Sequence, residues 1–186
     1  MPVLLHLNGP PGVGKSTLAR RYADEHAGVL DLDIDSAVVP LISGWRDDFF
    51  AVLPAARRVA IAMAEAHLSG GGDVVMPQLV TDVGQAGRFE DAARQAGAAY
   101  VEVALTAEPT EQIARFRGKG ETSEVNRHIE RTIAAAGGDE LLERIGGHLA
   151  GYLEQRPDAV RLSTAGTDPA ASYAELLAVL ERRGRA

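Results

Sequence analysis

Gly9-Pro10-Pro11-Gly12-Val13-Gly14-Lys15-Ser16-Thr17 matches the pattern G-x-x-x-x-G-K-[ST] in full. The apolar run Val3-Leu4-Leu5-His6-Leu7 precedes it, and the helical pattern Thr17-Leu18-Ala19-Arg20-Arg21-Tyr22-Ala23 follows. Strand, loop and helix in that order separate a phosphate-binding loop from a chance glycine-rich turn. The glycines let successive backbone N–H groups point inward, and with the helix N-terminus these donors form an anion site. In such a loop Gly9, Gly12, Val13 and Gly14 make the cradle. Lys15 reaches the β- and γ-phosphates, and the Ser16 hydroxyl ligates Mg²⁺. Thr17, one step inside the helix, supports the loop or the α-phosphate. Turn chemistry alone does not explain Lys-Ser after that glycine spacing.

The 186 residues suit one domain with a sizeable core. Hydrophobic residues make up 46% and charged residues 24%, the balance of an ordinary globular protein. A formal net charge of −7 argues against a general duplex-binding surface, so no nucleic-acid partner is expected. There is no cysteine, which excludes disulfides and thiolate metal sites. No apolar run approaches the ~20 residues needed to span a bilayer. The first strand begins at once, leaving no room for a signal peptide. A cytoplasmic protein with no membrane partner is the expectation.

Apolar β-rich runs alternate with helical patterns along the chain, which predicts an α/β fold with a parallel sheet and helices on both faces. Strands are expected at Val3–Leu7, Val29–Asp35, Asp73–Pro77, Tyr100–Leu105 and Ala159–Ser163. Helices are expected from the loop to about His26, over Ser36–Ser43 (short, broken by Pro40), Asp48–Ser69, Val83–Ala96, Pro109–Arg117, Asp139–Gln155 and Ser172–Arg183. Pro54 should kink the long helix or mark its true start. Gly118-Lys119-Gly120-Glu121-Thr122-Ser123 is the most polar break and opens a charged segment that ends at Gly137-Gly138.

Asp33 and Asp35 fall at the carboxyl end of the second strand, the edge beyond which ligands bind in an open α/β sheet. Strand alternation places Asp31, Asp33 and Asp35 on one face. In phosphoryl transfer such carboxylates orient metal-bound water or accept the proton of an attacking hydroxyl. Asp35, at the tip, is the candidate base, and Asp33 the candidate metal-side acid. The plain alternatives are solvated acids, or Asp35 capping a helix that starts at Ser36. For Asp31 the solvated reading is preferred.

With these motifs the chain resembles the small P-loop kinases of the nucleoside-monophosphate-kinase-like superfamily. Asp33-Ile34-Asp35 is similar to the Asp-x-Asp of shikimate kinases. Asp35-Ser36-Ala37-Val38-Val39-Pro40 resembles the aspartate, small residue and apolar helix of chloramphenicol phosphotransferases. The order of elements resembles the ATP-binding tunicamycin-resistance proteins, which makes antibiotic resistance one possible setting. The resemblance implies a five-stranded sheet in the order 2-3-1-4-5, ATP with Mg²⁺, and a hydroxyl or phosphate acceptor. One departure stands out. The strand through Val75 ends Met76-Pro77-Gln78 with no carboxylate until Asp82, so the metal acid must be Asp33 or Asp35, and Gln78 would face the acceptor.

Kinases of this type bring cations over the γ-phosphate from a mobile lid that also excludes water. The expected lid is residues 117–137. Arg115 and Arg117 end the preceding helix, and Lys119, Arg127 and Arg131 follow. Arg127 and Arg131, four apart, share a helix face and are the candidate catalytic arginines. The resemblance also sets Arg115 to stack on adenine. Each of these arginines is equally readable as a solvated surface charge. The acceptor region is expected within residues 36–70. There Trp45 either stacks on an acceptor ring or packs the helix start, and Arg46 either binds an acidic group or pairs with Asp47 or Asp48. His6, His26, His67, His128 and His148 show no metal-ligand spacing, and His6 reads as a buried, hydrogen-bonded core residue.

The expectation is one kinase-like domain that moves the γ-phosphoryl of ATP to a hydroxyl of a small molecule. A monophosphate acceptor is disfavoured, because Arg57 and Arg58 are adjacent and cannot share a face. The alternatives are a nucleoside or nucleotide kinase and a non-catalytic nucleotide-binding resistance or switch protein. A polynucleotide kinase would need a basic track that a charge of −7 does not suggest. The sequence does not name the acceptor, ATP or GTP preference, or the oligomeric state.

Overall fold

Val3–Asn8 (β1) is wholly buried at the centre of the sheet. The computed structural model of the chain describes residues 1–118 and 123–182. The other strands are Leu30–Asp31 (β2), Val74–Met76 (β3), Ala99–Thr106 (β4) and Val160–Ser163 (β5). All pairings are parallel and the order is β2-β3-β1-β4-β5, as the resemblance implied. The helices are Lys15–Glu25 (α1), Phe49–Ser69 (α2), Val83–Gln95 (α3), Pro109–Gly118 (α4), Glu124–Ala135 (α5), Asp139–Glu154 (α6) and Pro169–Arg182 (α7).

Both faces of the sheet are covered, which is why β1 and β3 are buried along their whole length. On one face Leu5 and Leu7 of β1 join Leu18 and Tyr22 of α1 and Tyr173 and Leu176 of α7. On the other, Leu4 joins α2 and Phe89 of α3. The α2 contact uses Ala56, Ala60 and Ala64, one turn apart and fully buried, so small side chains let the helix lie close to the sheet. Toward the carboxyl edge that face continues through Val80, Ala104, Leu149 and Tyr152.

Two expectations change. The second strand is short: Leu32 N–H still donates to the Val75 carbonyl at 2.8 Å, but the chain turns at Asp33. The Asp33 carboxylate accepts from Ser36 N–H at 3.2 Å, and Ile34–Val38 forms a helical turn. This side-chain-to-backbone bond competes with the strand ladder and wins, so Asp31, Asp33 and Asp35 do not line one strand face. Secondly, α2 starts at Phe49, capped by Asp48 (Ala51 N–H to Oδ1, 3.0 Å), and runs through Pro54. Lys119 and Arg183 lie outside the described residues. Among the described residues no helix is long and apolar enough to cross a membrane.

Candidate active site

The loop between β1 and α1 is built on glycine conformations. Gly12 and Gly14 hold φ of +93° and +95°. At Gly12 a side chain would also strike the carbonyl of Gln112. Gln112, buried on α4, donates from Nε2 to the Pro11 carbonyl at 2.8 Å, so α4 braces the loop from behind. Lys15 Nζ donates to the Pro10 carbonyl at 3.0 Å. Ser16 Oγ donates to Asp33 Oδ2 at 3.0 Å. A hydroxyl beside a carboxylate is a hard-oxygen donor set suited to Mg²⁺. Among the described residues no cluster of three or more acidic or histidine side chains makes a cage.

A cavity of about 730 Å³ opens over the loop. Its walls include Gly12, Val13, Gly14, Lys15, Ser16 and Thr17, with Asp33, Asp35 and Gln78 beside them. Gln78 Nε2 donates to Asp35 Oδ1 at 3.3 Å. Burial pushes the Asp35 carboxyl above the usual carboxylate range, and the negative charge of Asp33 adds to it. The Gln78 bond and the charges of Lys15 and Arg57 oppose the rise. Arg57, on α2, lines the same wall, and burial lowers its pKa.

A buried network holds this wall to the loop. His6 and Asn8 alternate with Leu5 and Leu7 on β1, so both point to the α6 side. The pKa of His6 is lowered by burial, which keeps the ring neutral. Its Nε2 faces the Gln78 carbonyl at 2.8 Å. A carbonyl only accepts, so Nε2 carries the proton, and Nδ1 accepts from Tyr100 Oη at 2.7 Å. Asn8 Oδ1 accepts from Gly9 N–H at 2.8 Å and Val80 N–H at 3.0 Å, while its Nδ2 donates to the Val80 carbonyl at 2.8 Å and to Glu102 at 2.9 Å. Glu102, 4% exposed, also accepts from Tyr152 Oη at 2.8 Å and Arg156 Nε at 3.2 Å. The buried charge is therefore compensated. The first turn of the phosphate loop and residues 78–80 are thus tied to one pair of side chains.

Not every candidate reaches this cavity. Arg115 lines it, bonded to Glu111 and donating from Nη2 to the Thr164 carbonyl at 2.9 Å. Arg117 sits two residues further round α4 and faces α6, where Nη2 donates to Asp139 at 2.6 Å. On α5 the cavity face is Asn126, Ile129, Glu130, Thr132 and Ile133. Arg127 and Arg131 are not among the residues that line the cavity, and Arg131 is exposed. Trp45 is 3% exposed and packs edge-on against His128, with centroids 5.4 Å apart, rather than opening to the cavity. Arg46 stacks over Trp45 at 4.4 Å and pairs with Glu124 (Nε to Oε1, 2.6 Å), not with Asp47 or Asp48. Residues 45–46 therefore tie down α5. Phe49, Phe50, Leu53 and Arg57 of α2 line the cavity instead.

Fold and loop together define a P-loop NTPase of kinase-like fold. The chain belongs to the AAA domain family, whose profile matches residues 4–136. Its structure is similar to the tunicamycin resistance protein of Deinococcus radiodurans, at TM-score 0.60 and 17% identity, covering 100% of this chain and 96% of that one. It is similar to deoxyadenosine kinase from M. mycoides, at TM-score 0.57, 10% identity and coverage of 96% and 98%. A gluconokinase from Sinorhizobium meliloti aligns at TM-score 0.55, 14% identity and coverage of 98% and 97%. At these identities the likeness is one of fold. A search of curated protein sequences gave no significant match.

Proposed function

We propose that the protein is an ATP-dependent phosphotransferase that moves the γ-phosphoryl group of ATP to a hydroxyl of a small molecule. The observation that carries this reading is Asp35: a carboxylate held by Gln78 in the wall of the cavity that the phosphate loop opens into. A protein that only bound nucleotide would have no use for an oriented carboxylate there.

In the proposed reaction the loop amides and Lys15 hold the β- and γ-phosphates. The acceptor oxygen attacks the γ-phosphorus in line, the bond from that phosphorus to the β–γ bridging oxygen breaks, and ADP leaves. The acceptor proton passes to Asp35. Gln78 fixes the carboxylate, and the rise in its pKa on burial makes it a stronger proton acceptor. Ser16 and Asp33 would hold Mg²⁺, which when bound neutralises developing phosphate charge. Arg115 and Thr164 mark the adenine end. Residues 36–70 form the acceptor region of this single domain, and α5 its cover.

The test is ATP turnover by the purified chain with Mg²⁺ against a panel of sugars, nucleosides, antibiotics and hydroxylated metabolites. One compound should raise ADP release well above background and be recovered as its phosphate ester, with both effects lost in Asp35→Asn. ATP binding without stimulation by any compound, and no effect of Asp35→Asn, would move the protein to the non-catalytic binders.

A further inference from the structure

Gln78 is aimed by its backbone. β3 ends at Met76, whose partner on β1 is His6, and the ladder between the two strands stops there. Pro77 follows and has no N–H with which to extend it. Gln78 and Val80 are held instead by two side chains of β1. His6 Nε2 donates to the Gln78 carbonyl at 2.8 Å, and Asn8 meets both the N–H and the carbonyl of Val80. The Gln78 side chain has little hold of its own. Its Nε2 reaches Asp35 at 3.3 Å, near the long limit of a hydrogen bond, and its Oε1 is buried with no hydrogen-bond partner among the described residues. A small shift of the backbone at Gln78 therefore breaks the bond that orients the candidate base.

An imidazole holds a carbonyl in one tautomer only, with the proton on the nitrogen that faces it. Tyr100 Oη secures that tautomer by donating to Nδ1 at 2.7 Å. Burial pushes the Tyr100 phenol well above its ordinary pKa, so it stays a donor, and burial also keeps His6 neutral. Glu102 Oε1 lies 3.8 Å from the same Nδ1 and favours a proton there. Tyr100 and the Gln78 carbonyl together decide against it.

Resting on the phosphotransferase reading, we infer that His6 is a positioning residue for phosphoryl transfer: its Nε2–H, fixed by Tyr100, holds the Gln78 backbone where the side-chain amide orients Asp35. His6 is 0% exposed and does not line the cavity, so it touches neither nucleotide nor acceptor. The phosphate loop is held by the other side chain, Asn8, through the Gly9 N–H. Loss of the His6 donor therefore falls on the transfer rate and not on ATP affinity.

The test uses the full chain with ATP and Mg²⁺, water standing in for the acceptor. It reads ADP release in a single turnover, beside the nitrogen resonances of isotope-labelled protein. His6 in the parent should carry its proton on Nε2 and none on Nδ1. A glutamine places its amide nitrogen close to where Nε2 stands, whereas an asparagine reaches only as far as Nδ1. ADP release should fall about 10- to 100-fold in His6→Asn and stay within about threefold of the parent in His6→Gln, the results of a misplaced and a retained orienting group. The ATP dissociation constant should change by less than about twofold in both. In a Gln78→Ala background the two His6 variants should release ADP equally, although His6→Asn still melts lower. A parent His6 protonated on Nδ1, or equal losses in the two variants, overturns the inference. So does a difference between them that persists without the Gln78 side chain, which would mark a merely structural role. Should His6→Asn not fold, His6→Gln decides alone: it should keep both the rate and the Gln78 side-chain amide resonances, and a folded His6→Gln that loses them overturns the inference. Failure of the underlying reading looks different. A parent that turns over no ATP, with water or with any compound of the panel, removes the kinase. The link from His6 to Asp35 is then read from the Gln78 amide resonances alone. His6→Asn should displace them as far as Asp35→Asn does, and unmoved resonances overturn it.

Discussion

The two ends of the cavity are made by opposite means. The phosphate end is backbone: nine consecutive residues, three of them glycines at positive φ, braced by Gln112. The proposed acceptor end is side chains gathered from far apart: Asp35, Arg57, Gln78 and Ile129. A backbone site recognises what all nucleotides share. A side-chain site is altered one residue at a time, so it is where substrate choice resides. Substitutions at the first end should abolish turnover for every acceptor, whereas substitutions at the second should redistribute it among acceptors.

The largest effect is predicted for Lys15→Met. Removing the charge on the transferring group should lower kcat by about 10³-fold or more for any acceptor, measured as ADP release at saturating ATP. Asp35→Asn should lower kcat by roughly 10²–10⁴-fold with nucleotide affinity kept. The same variant should be more stable than the parent. Below the unfolded-state pKa both states are protonated and the site contributes nothing. Above its raised folded-state pKa, the ionised carboxylate costs the fold free energy that the amide does not. Asp35→Asn should therefore melt higher at neutral pH, by roughly 2–4 °C per kcal/mol recovered. That gain should shrink as pH falls toward about 4. A lower Tm at neutral pH would contradict the burial argument.

Next in size is Tyr152→Phe, which removes one donor from the buried Glu102 and should cost about 1–3 kcal/mol in denaturant unfolding. Because Glu102 holds Asn8, and Asn8 holds both Gly9 and Val80, this variant should also disturb both ends of the cavity at once. A change confined to nucleotide binding would break the proposed link between them. The smallest effect is expected at Arg131, which is exposed and off the cavity face of α5. Arg131→Ala should change kcat by less than about twofold and stability by less than about 0.5 kcal/mol.

That contrast also explains what the sequence could disclose. A phosphate loop is a local object, so its residues can be read in order with strand before and helix after. The strand order followed from the resemblance those residues carry. The acceptor end is not local. Arg57 was set aside because its neighbour Arg58 cannot share its face, yet one inward arginine suffices to line the wall. Trp45 and Arg46 had the composition of a ligand site, and α5 claimed both through His128 and Glu124. Asp33 lay in an alternating run that fits a strand equally well. Only its bond to the Ser36 amide shows that the strand had already ended. Gln78 could be noticed as the residue standing where an acid is common. Its bond to Asp35 depends on a contact 43 positions away in sequence.

The central claim is that Asp35 acts on an acceptor in the cavity that the phosphate loop shares. Single-turnover transfer from ATP to the best acceptor of the panel, followed against pH for the parent and Asp35→Asn, tests it most directly. The account predicts a rate in the parent that falls with acidification through a pKa above the usual carboxylate range. In Asp35→Asn that limb should be absent, the rate should drop by roughly 10²-fold or more, and the dissociation constant for ATP should be unchanged. An Asp35→Asn enzyme with the parent's rate and the same acid limb would contradict it.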